Sequence, residues 1–151
     1  MDENLKREII LENYQNPMNK ESIDDKRYIK VNTNNESCID NLDIYLLVED
    51  NMIKDIKFDG EACAISTSST SIMIHNLIGK TIAEAIKYME EFDNMVNEKD
   101  YDKDLLNEAI VYDTIYKQAN RKHCALLPYL GIKKALEKMV DCQIVCVDTN
   151  K

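Results

Sequence analysis

Leu42-Asp43-Ile44-Tyr45-Leu46-Leu47-Val48, then Glu49-Asp50-Asn51, then Met52-Ile53-Lys54-Asp55-Ile56-Lys57-Phe58, is the stretch that decides the fold. Leu42, Ile44, Leu46 and Val48 recur at period two, the spacing that places side chains on one face of a strand. Over Ile53–Phe58, Ile56 and Phe58 fall on one side and Asp55 and Lys57 on the other. The polar Glu49-Asp50-Asn51 between the two runs reads as a hairpin turn. A two-stranded hairpin is marginal alone, so it needs a covering layer.

That layer is found by working outward. Upstream, Leu5, Ile9 and Ile10 recur at helical spacing until Asn16-Pro17 stops them. A short strand is expected at Arg27–Asn32, and Asn32-Thr33-Asn34-Asn35 reads as a loop. Downstream, Ser66–Ile78 opens with Ser and Thr and closes at Gly79. Thr81–Val96 carries Glu84 three residues after Thr81, a capping box. Asn97–Asp104 reads as a charged loop, with its acids and those at Glu90, Glu91 and Asp93 forming a solvated face. Leu105–Gln118 reads as a third helix. Ala125–Val140 reads as a fourth, with Leu126, Leu130 and Leu136 near one face. The β-branched tail Cys142–Asp148 reads as a strand or packed coil. The expected fold is α+β: a small antiparallel sheet of about three strands, covered by four to five helices.

The chain has 151 residues, the size of one domain, so residues 1–151 are expected to form a single unit. Nineteen Lys and Arg against 28 Asp and Glu give a net charge of −9. Phosphate neutralisation needs clustered cations, so this balance argues against a nucleic-acid partner and against an anionic membrane surface. No apolar run approaches the roughly 18 residues needed to span a bilayer. Met1-Asp2-Glu3-Asn4-Leu5-Lys6 lacks the apolar core of a secretory signal, so a cytoplasmic location is expected. Five cysteines, Cys38, Cys63, Cys124, Cys142 and Cys146, are an odd set for a disulfide framework in a reducing compartment. Metal binding or thiol chemistry is the better account of any clustered subset.

Cys38 and Asp40 lie two apart, so in extended chain they project to the same side. They precede the first hairpin strand, and Cys63 follows the second. Antiparallel pairing puts those two ends at one edge of the sheet, and so brings Cys38 and Asp40 to Cys63. Cys63 and Cys124 both stand near expected helix starts, where the helix dipole favours thiolate. Three thiolates and a carboxylate suit tetrahedral zinc, or the anchoring of iron–sulfur chemistry. Spacing alone matches no compact zinc-finger pattern and leaves buried structural cysteines as the competing reading.

Four motifs in order change that balance: Tyr14-Gln15-Asn16-Pro17-Met18-Asn19, Cys38-Ile39-Asp40, Gly60-Glu61-Ala62-Cys63-Ala64-Ile65-Ser66, and Arg121-Lys122-His123-Cys124-Ala125. Together they resemble the IscU/NifU N-terminal scaffold family over about Ile10 to Val140. The stretch between Cys63 and Cys124, with Phe92-Asp93-Asn94-Met95-Val96, is similar to the insertion of its SufU branch. The resemblance implies an IscU/SufU-like fold. It implies an iron–sulfur cluster assembly role, with persulfide sulfur taken from a pyridoxal-phosphate cysteine desulfurase. The metal site it implies is Cys38, Asp40, Cys63 and Cys124, with Cys124 as the persulfide acceptor and Cys38, Cys63 and Cys124 as cluster anchors. The implied cofactor is zinc, with a transient iron–sulfur cluster in the IscU manner. The implied partners are the desulfurase and downstream iron–sulfur acceptor proteins. On this basis the protein is a carrier or scaffold, at most a zinc-dependent sulfurtransferase. The competing hypothesis is a structural zinc module that binds and regulates a desulfurase without carrying sulfur.

The chain departs from the family in places. Ile39 stands where the family has Gly, and a β-branched residue resists positive φ, so a different loop geometry is expected. Ala62 replaces a second Gly. His123 follows the IscU pattern and Arg121 the SufU pattern; His123 is read as a ligand, a proton donor or a plain helix-cap residue. His75, among Ile72, Ile74 and Ile78, reads as an ordinary helix histidine. Cys142 and Cys146 read as small buried hydrophobes. Ser66 to Ser71 lack a nucleophile elbow and read as helix capping.

Overall fold

The computed structural model describes residues 1–35 and 39–149, with residues 141–149 described by their backbone alone. The hairpin forms as its pattern dictates. Strands β1 (Ile29–Asn34), β2 (Asn41–Glu49) and β3 (Met52–Glu61) make an antiparallel sheet in that order. Glu49 faces Met52, so Asp50 and Asn51 are the turn, at φ 54° and 61°. Both are residue types that tolerate the left-handed region. The register shifts after Leu47: Leu47 faces Asp55 and Val48 faces Ile53, leaving Lys54 as an extra residue. This bulge puts Ile53 on the same face as Ile56 and Phe58, across an odd number of residues. With Leu42, Ile44 and Leu46 they are fully buried.

Helices cover that face. α1 (Glu3–Gln15) begins where the Asp2 carboxylate accepts the Leu5 N–H and ends before Pro17. α2 (Ala64–Leu77) is buried on nearly every side, packed against α1, β3 and α5. α3 (Ile82–Val96) has the expected capping box between Thr81 and Glu84. α4 is the single turn Lys103–Leu106, and α5 runs from Ala119 to Thr149 across β1 and β2. Five α-helices over a three-stranded antiparallel sheet match the expected α+β class. Among the described residues, no helix is long and apolar enough to cross a membrane.

Several expected boundaries are wrong. The expected helix over 105–118 is instead the end of α4 and two 3-10 segments, Asn107–Tyr112 and Ile115–Lys117. Of its buried residues, Leu106, Ala109, Tyr112 and Ile115 repeat every three residues, the 3-10 period, with Val111 buried beside them, and Asn107 leaves the helical region at φ 50°. The expected loop over Asn32–Asn35 is strand as far as Asn34, which pairs with Asn41. The tail at 142–148 is neither strand nor coil but the continuing α5. Extending a formed helix adds a hydrogen bond per residue, which outweighs the weak strand preference of Val and Ile. Glu91 is not part of a solvated face: it is buried, pairs with Lys87 and accepts the Asp102 N–H. Leu126, Leu130 and Leu136 do share a face: all three line a groove between α3 and α5, where Leu136 is buried and Leu130 half exposed.

Two glycines position the functional region. Gly60, at φ 127°, faces β2 so closely that a Cβ would stand 2.2 Å from the Asn41 oxygen. Gly131 lets α5 lie on the sheet: a Cβ there would come within 2.9 Å of Ile44 Cγ1. Gly79 has a positive φ too, 91°, but open space around it. Gly60→Ala is therefore expected to cost about 3 kcal/mol, since both backbone strain and a backbone clash oppose it. Gly79→Ala, with strain alone, is expected to cost about 1 kcal/mol. Urea denaturation midpoints of the two variants check the ranking; equal losses would mean the Gly60 contact relaxes.

Candidate metal centre

The site is made where three chain segments meet. β2 begins at Asn41, so Asp40 sits at the sheet edge; β3 ends at Glu61 and turns through Ala62 and Cys63 into α2. Asn41 faces Glu61 in the ladder, which sets Asp40 beside the start of α2. Cys63 is the N-cap of that helix, its sulfur accepting the Ser66 N–H at 3.4 Å. The third segment is α5, which presents Cys124.

One ligand atom from each of Asp40, Cys63 and Cys124 lies within 4.8 Å of the others. Asp40 is 1% exposed and Cys124 4%, whereas Cys63 is partly exposed and forms the mouth. The Asp40 carboxylate is held at both oxygens: the Cys63 N–H donates to Oδ1 at 2.6 Å and the Ser66 hydroxyl to Oδ2 at 2.6 Å. The Cys63 thiol lies 3.6 Å from Oδ2. Burial alone would raise the Asp40 pKa, but the hydrogen bonds from Ser66, the Cys63 N–H and the two thiols outweigh it and keep the carboxyl below its usual range. Burial, then the Asp40 carboxylate and Cys63, push the Cys124 thiol far up. Without a cation, Cys124 is thus a protonated thiol. A divalent cation would reverse that order, since its charge exceeds every other in the site. The donor set, thiols with one carboxylate, fits zinc or another borderline metal.

The structure brings together three of the four residues expected to converge. Cys38 lies outside the described residues. The sulfur of Cys124 is not at a helix start, as expected from sequence: α5 begins at Ala119, so Cys124 sits past the first turn and its thiol points at the Asn120 carbonyl at 3.5 Å. The dipole argument therefore holds for Cys63 and not for Cys124. His123 is exposed and outside the ligand group. Ile39 adopts no positive φ; it projects to solvent, 71% exposed, at the lip of the site. His75 is a surface residue of α2. The side chains of Cys142 and Cys146 fall outside the described residues.

Sequence reasoning missed the hydroxyls. Ser66 to Ser71 are not caps; all are buried, Thr67 and Thr70 bond back to nearby carbonyls, and the serines bond outward from α2. Ser68 meets the Tyr112 hydroxyl, Ser69 donates to the Ala125 carbonyl and Ser71 to Asn13. Ser66 also reaches the Cys124 carbonyl at 3.0 Å. The signal was Pro128, four residues after Cys124. A proline inside a helix removes the N–H that would bond the carbonyl four residues earlier. The Cys124 carbonyl therefore needs another donor, and Ser66 supplies it.

Known proteins are similar to this chain in sequence and in fold. SufU of Bacillus subtilis (strain 168), a zinc-dependent sulfurtransferase, is 32% identical over 135 residues, covering 89% of this chain and 90% of that one. The iron-sulfur cluster assembly scaffold protein IscU of Thermotoga maritima is 34% identical over 105 residues, 70% of this chain and 74% of its own. A crystal structure of a protein assigned as an iron-sulfur cluster assembly scaffold for the SUF system, from Fervidobacterium islandicum AW-1, superposes with a TM-score of 0.81 at 32% identity. It covers 85% of this chain and 94% of that one. The model of the NifU-like N terminal domain matches residues 5–138, and the chain belongs to that family.

Proposed function

We propose that this protein is an iron–sulfur cluster assembly protein of the SufU/IscU kind, a cytoplasmic carrier that accepts persulfide sulfur from a cysteine desulfurase. The reading assigns Cys38, Asp40, Cys63 and Cys124 as its metal ligands and the whole chain as one functional unit. The observation that carries it is the convergence of Asp40, Cys63 and Cys124 within one ion's reach. Downstream iron–sulfur acceptor proteins are its further partners.

Zinc, when bound, keeps the thiols ionised. The rest is the work of this chain. In the transfer, the Cys124 thiolate attacks the outer sulfur of the donor's persulfide. A new S–S bond forms, the old one breaks, and the donor cysteine leaves as a thiolate. Cys63 at the mouth is met first, with Cys124 behind it. Asp40 is the one oxygen donor among sulfurs, so it is the ligand that exchanges most readily. The deep burial of Cys124 favours the second reading, a closed structural zinc site that binds a desulfurase without carrying sulfur.

Incubation with desulfurase and free cysteine, followed by peptide mass spectrometry, separates the two. One added sulfur atom on Cys124 is the expected result; an unmodified protein with full zinc supports the structural module. Changing Cys38, Cys63 or Cys124 singly to Ser is expected to lose metal and stability together, because the ion ties the sheet edge to α5. The double variant Cys142→Ser, Cys146→Ser is expected to keep its metal. Metal analysis checks both.

Zinc binding to the metal-free protein is expected to release protons, Cys124 contributing one because its thiol is held protonated without a cation. Apparent zinc affinity should therefore tighten as pH rises through the neutral range. Titration in buffers of different ionisation enthalpy measures the release; no net release would mean that Cys124 is not a ligand.

A further inference from the structure

One buried hydroxyl stands between Asp40 and the helix that carries Cys124. Ser66 is fully buried, and its single proton has two acceptors: Asp40 Oδ2 at 2.6 Å and the Cys124 carbonyl at 3.0 Å. The shorter contact takes the proton in the metal-free state. The Cys124 carbonyl stands 3.0 Å off as the alternative acceptor, and Pro128 has no N–H to occupy it. Its neighbours are differently placed. The Ala125 carbonyl has Ser69 at 2.7 Å and the Leu127 carbonyl has Thr33 at 3.1 Å. Neither of those hydroxyls is shared with Asp40. Three side-chain hydroxyls thus reach α5 carbonyls around Pro128, and of the three only Ser66 also touches Asp40.

We propose that Ser66 is a positioning residue with two stations, holding Asp40 when that carboxylate is out of coordination and turning to the Cys124 carbonyl when Asp40 turns to a bound cation. This rests on the reading of the cluster as a metal site. The physical content is a compensation. Drawing Asp40 Oδ2 toward a cation withdraws acceptor strength from the Ser66 proton. In a regular helix that buried hydroxyl would be left without a good partner. Here the carbonyl freed by Pro128 takes it, so Asp40 enters and leaves the coordination shell without stranding a buried group. Pro128, whose ordinary effect is to weaken a helix, becomes part of what makes the ligand exchangeable.

The test uses full-length protein, Co(II) as the probe ion and its visible absorption as the report of the coordination shell. Ser66→Ala is expected to weaken Co(II) binding by about tenfold to a hundredfold, the usual effect of removing a ligand's hydrogen-bond partner, and to shift the Co(II) spectrum. Pro128→Ala is the sharper variant, and it stands if Ser66→Ala fails to fold. It restores an N–H to the Cys124 carbonyl and removes a helix breaker, so the metal-free protein should resist urea better than wild type. Yet its N–H competes with Ser66 for the Cys124 carbonyl and weakens the second station, so Co(II) should bind several-fold more weakly and leave faster to a chelator. Opposite signs in stability and affinity are what a merely structural role does not produce. The proposal is overturned if Pro128→Ala binds Co(II) as tightly as wild type. It is also overturned if Ser66→Ala lowers stability while leaving Co(II) affinity and spectrum unchanged. Failure of wild-type protein to bind Co(II) or zinc is a different outcome: it removes the metal-site reading itself, and this proposal with it.

Discussion

Everything at the site depends on one carboxylate held in a dry place. Asp40 carries a negative charge at 1% exposure, a position that costs several kcal/mol unless donors surround it. The donors come from elsewhere in the chain. The Cys63 N–H belongs to the start of α2, where unbonded N–H groups and the helix dipole favour an anion. The Ser66 hydroxyl comes from the next turn and reaches onward to α5. Satisfying Asp40 therefore fixes the sheet edge against α2, and α2 against α5. The thiols arrive with those elements and need no separate explanation.

The hairpin supplies the precision behind that contact. Asp50 and Asn51 set the register by accepting left-handed conformations, and Gly60 removes the Cβ that would hold β2 and β3 apart at the site's end. The bulge at Lys54 lets Ile53 join the core without tilting the last residues of β3. Register errors flip every side chain across the sheet, so Cys63 reaches Asp40 only because these local choices agree with the apolar pattern.

What was legible in the sequence is what has a short-range signature. Period two, the Thr81–Glu84 box and the Asn16-Pro17 stop each named an element correctly. The sheet-edge meeting of Asp40 and Cys63 followed from antiparallel geometry alone. What was not legible depends on long-range partners. The three-residue repeat from Leu106 to Ile115 fits two helix types until packing selects one. The start of α5 was placed late because Ala119 to Lys122 has no apolar face to announce it. The serines after Cys63 resemble capping residues, and only the fold shows that their partners are Tyr112, Ala125, Cys124 and Asn13. Ile39 in place of Gly suggested a distorted loop, yet the position asks for no positive φ and an exposed isoleucine satisfies it.

The chemistry of Cys124 follows from the same dry pocket. A buried thiol beside a carboxylate stays protonated, and a protonated thiol is a poor nucleophile. The pocket thus holds the Cys124 thiol, 4% exposed, in its less reactive protonated form. A cation inverts the electrostatics and makes the thiolate, but it also shares the thiolate's electrons and so dampens attack. The proposed carrier role would need a ligand that yields without leaving an unpaired buried group behind. Among Asp40, Cys63 and Cys124, the carboxylate is the hardest donor and the only one with alternative hydrogen-bond donors already in place at both oxygens. On the proposed reading it would give up a metal and keep the Ser66 hydroxyl and the Cys63 N–H as partners, while the two sulfurs stay where α2 and α5 put them.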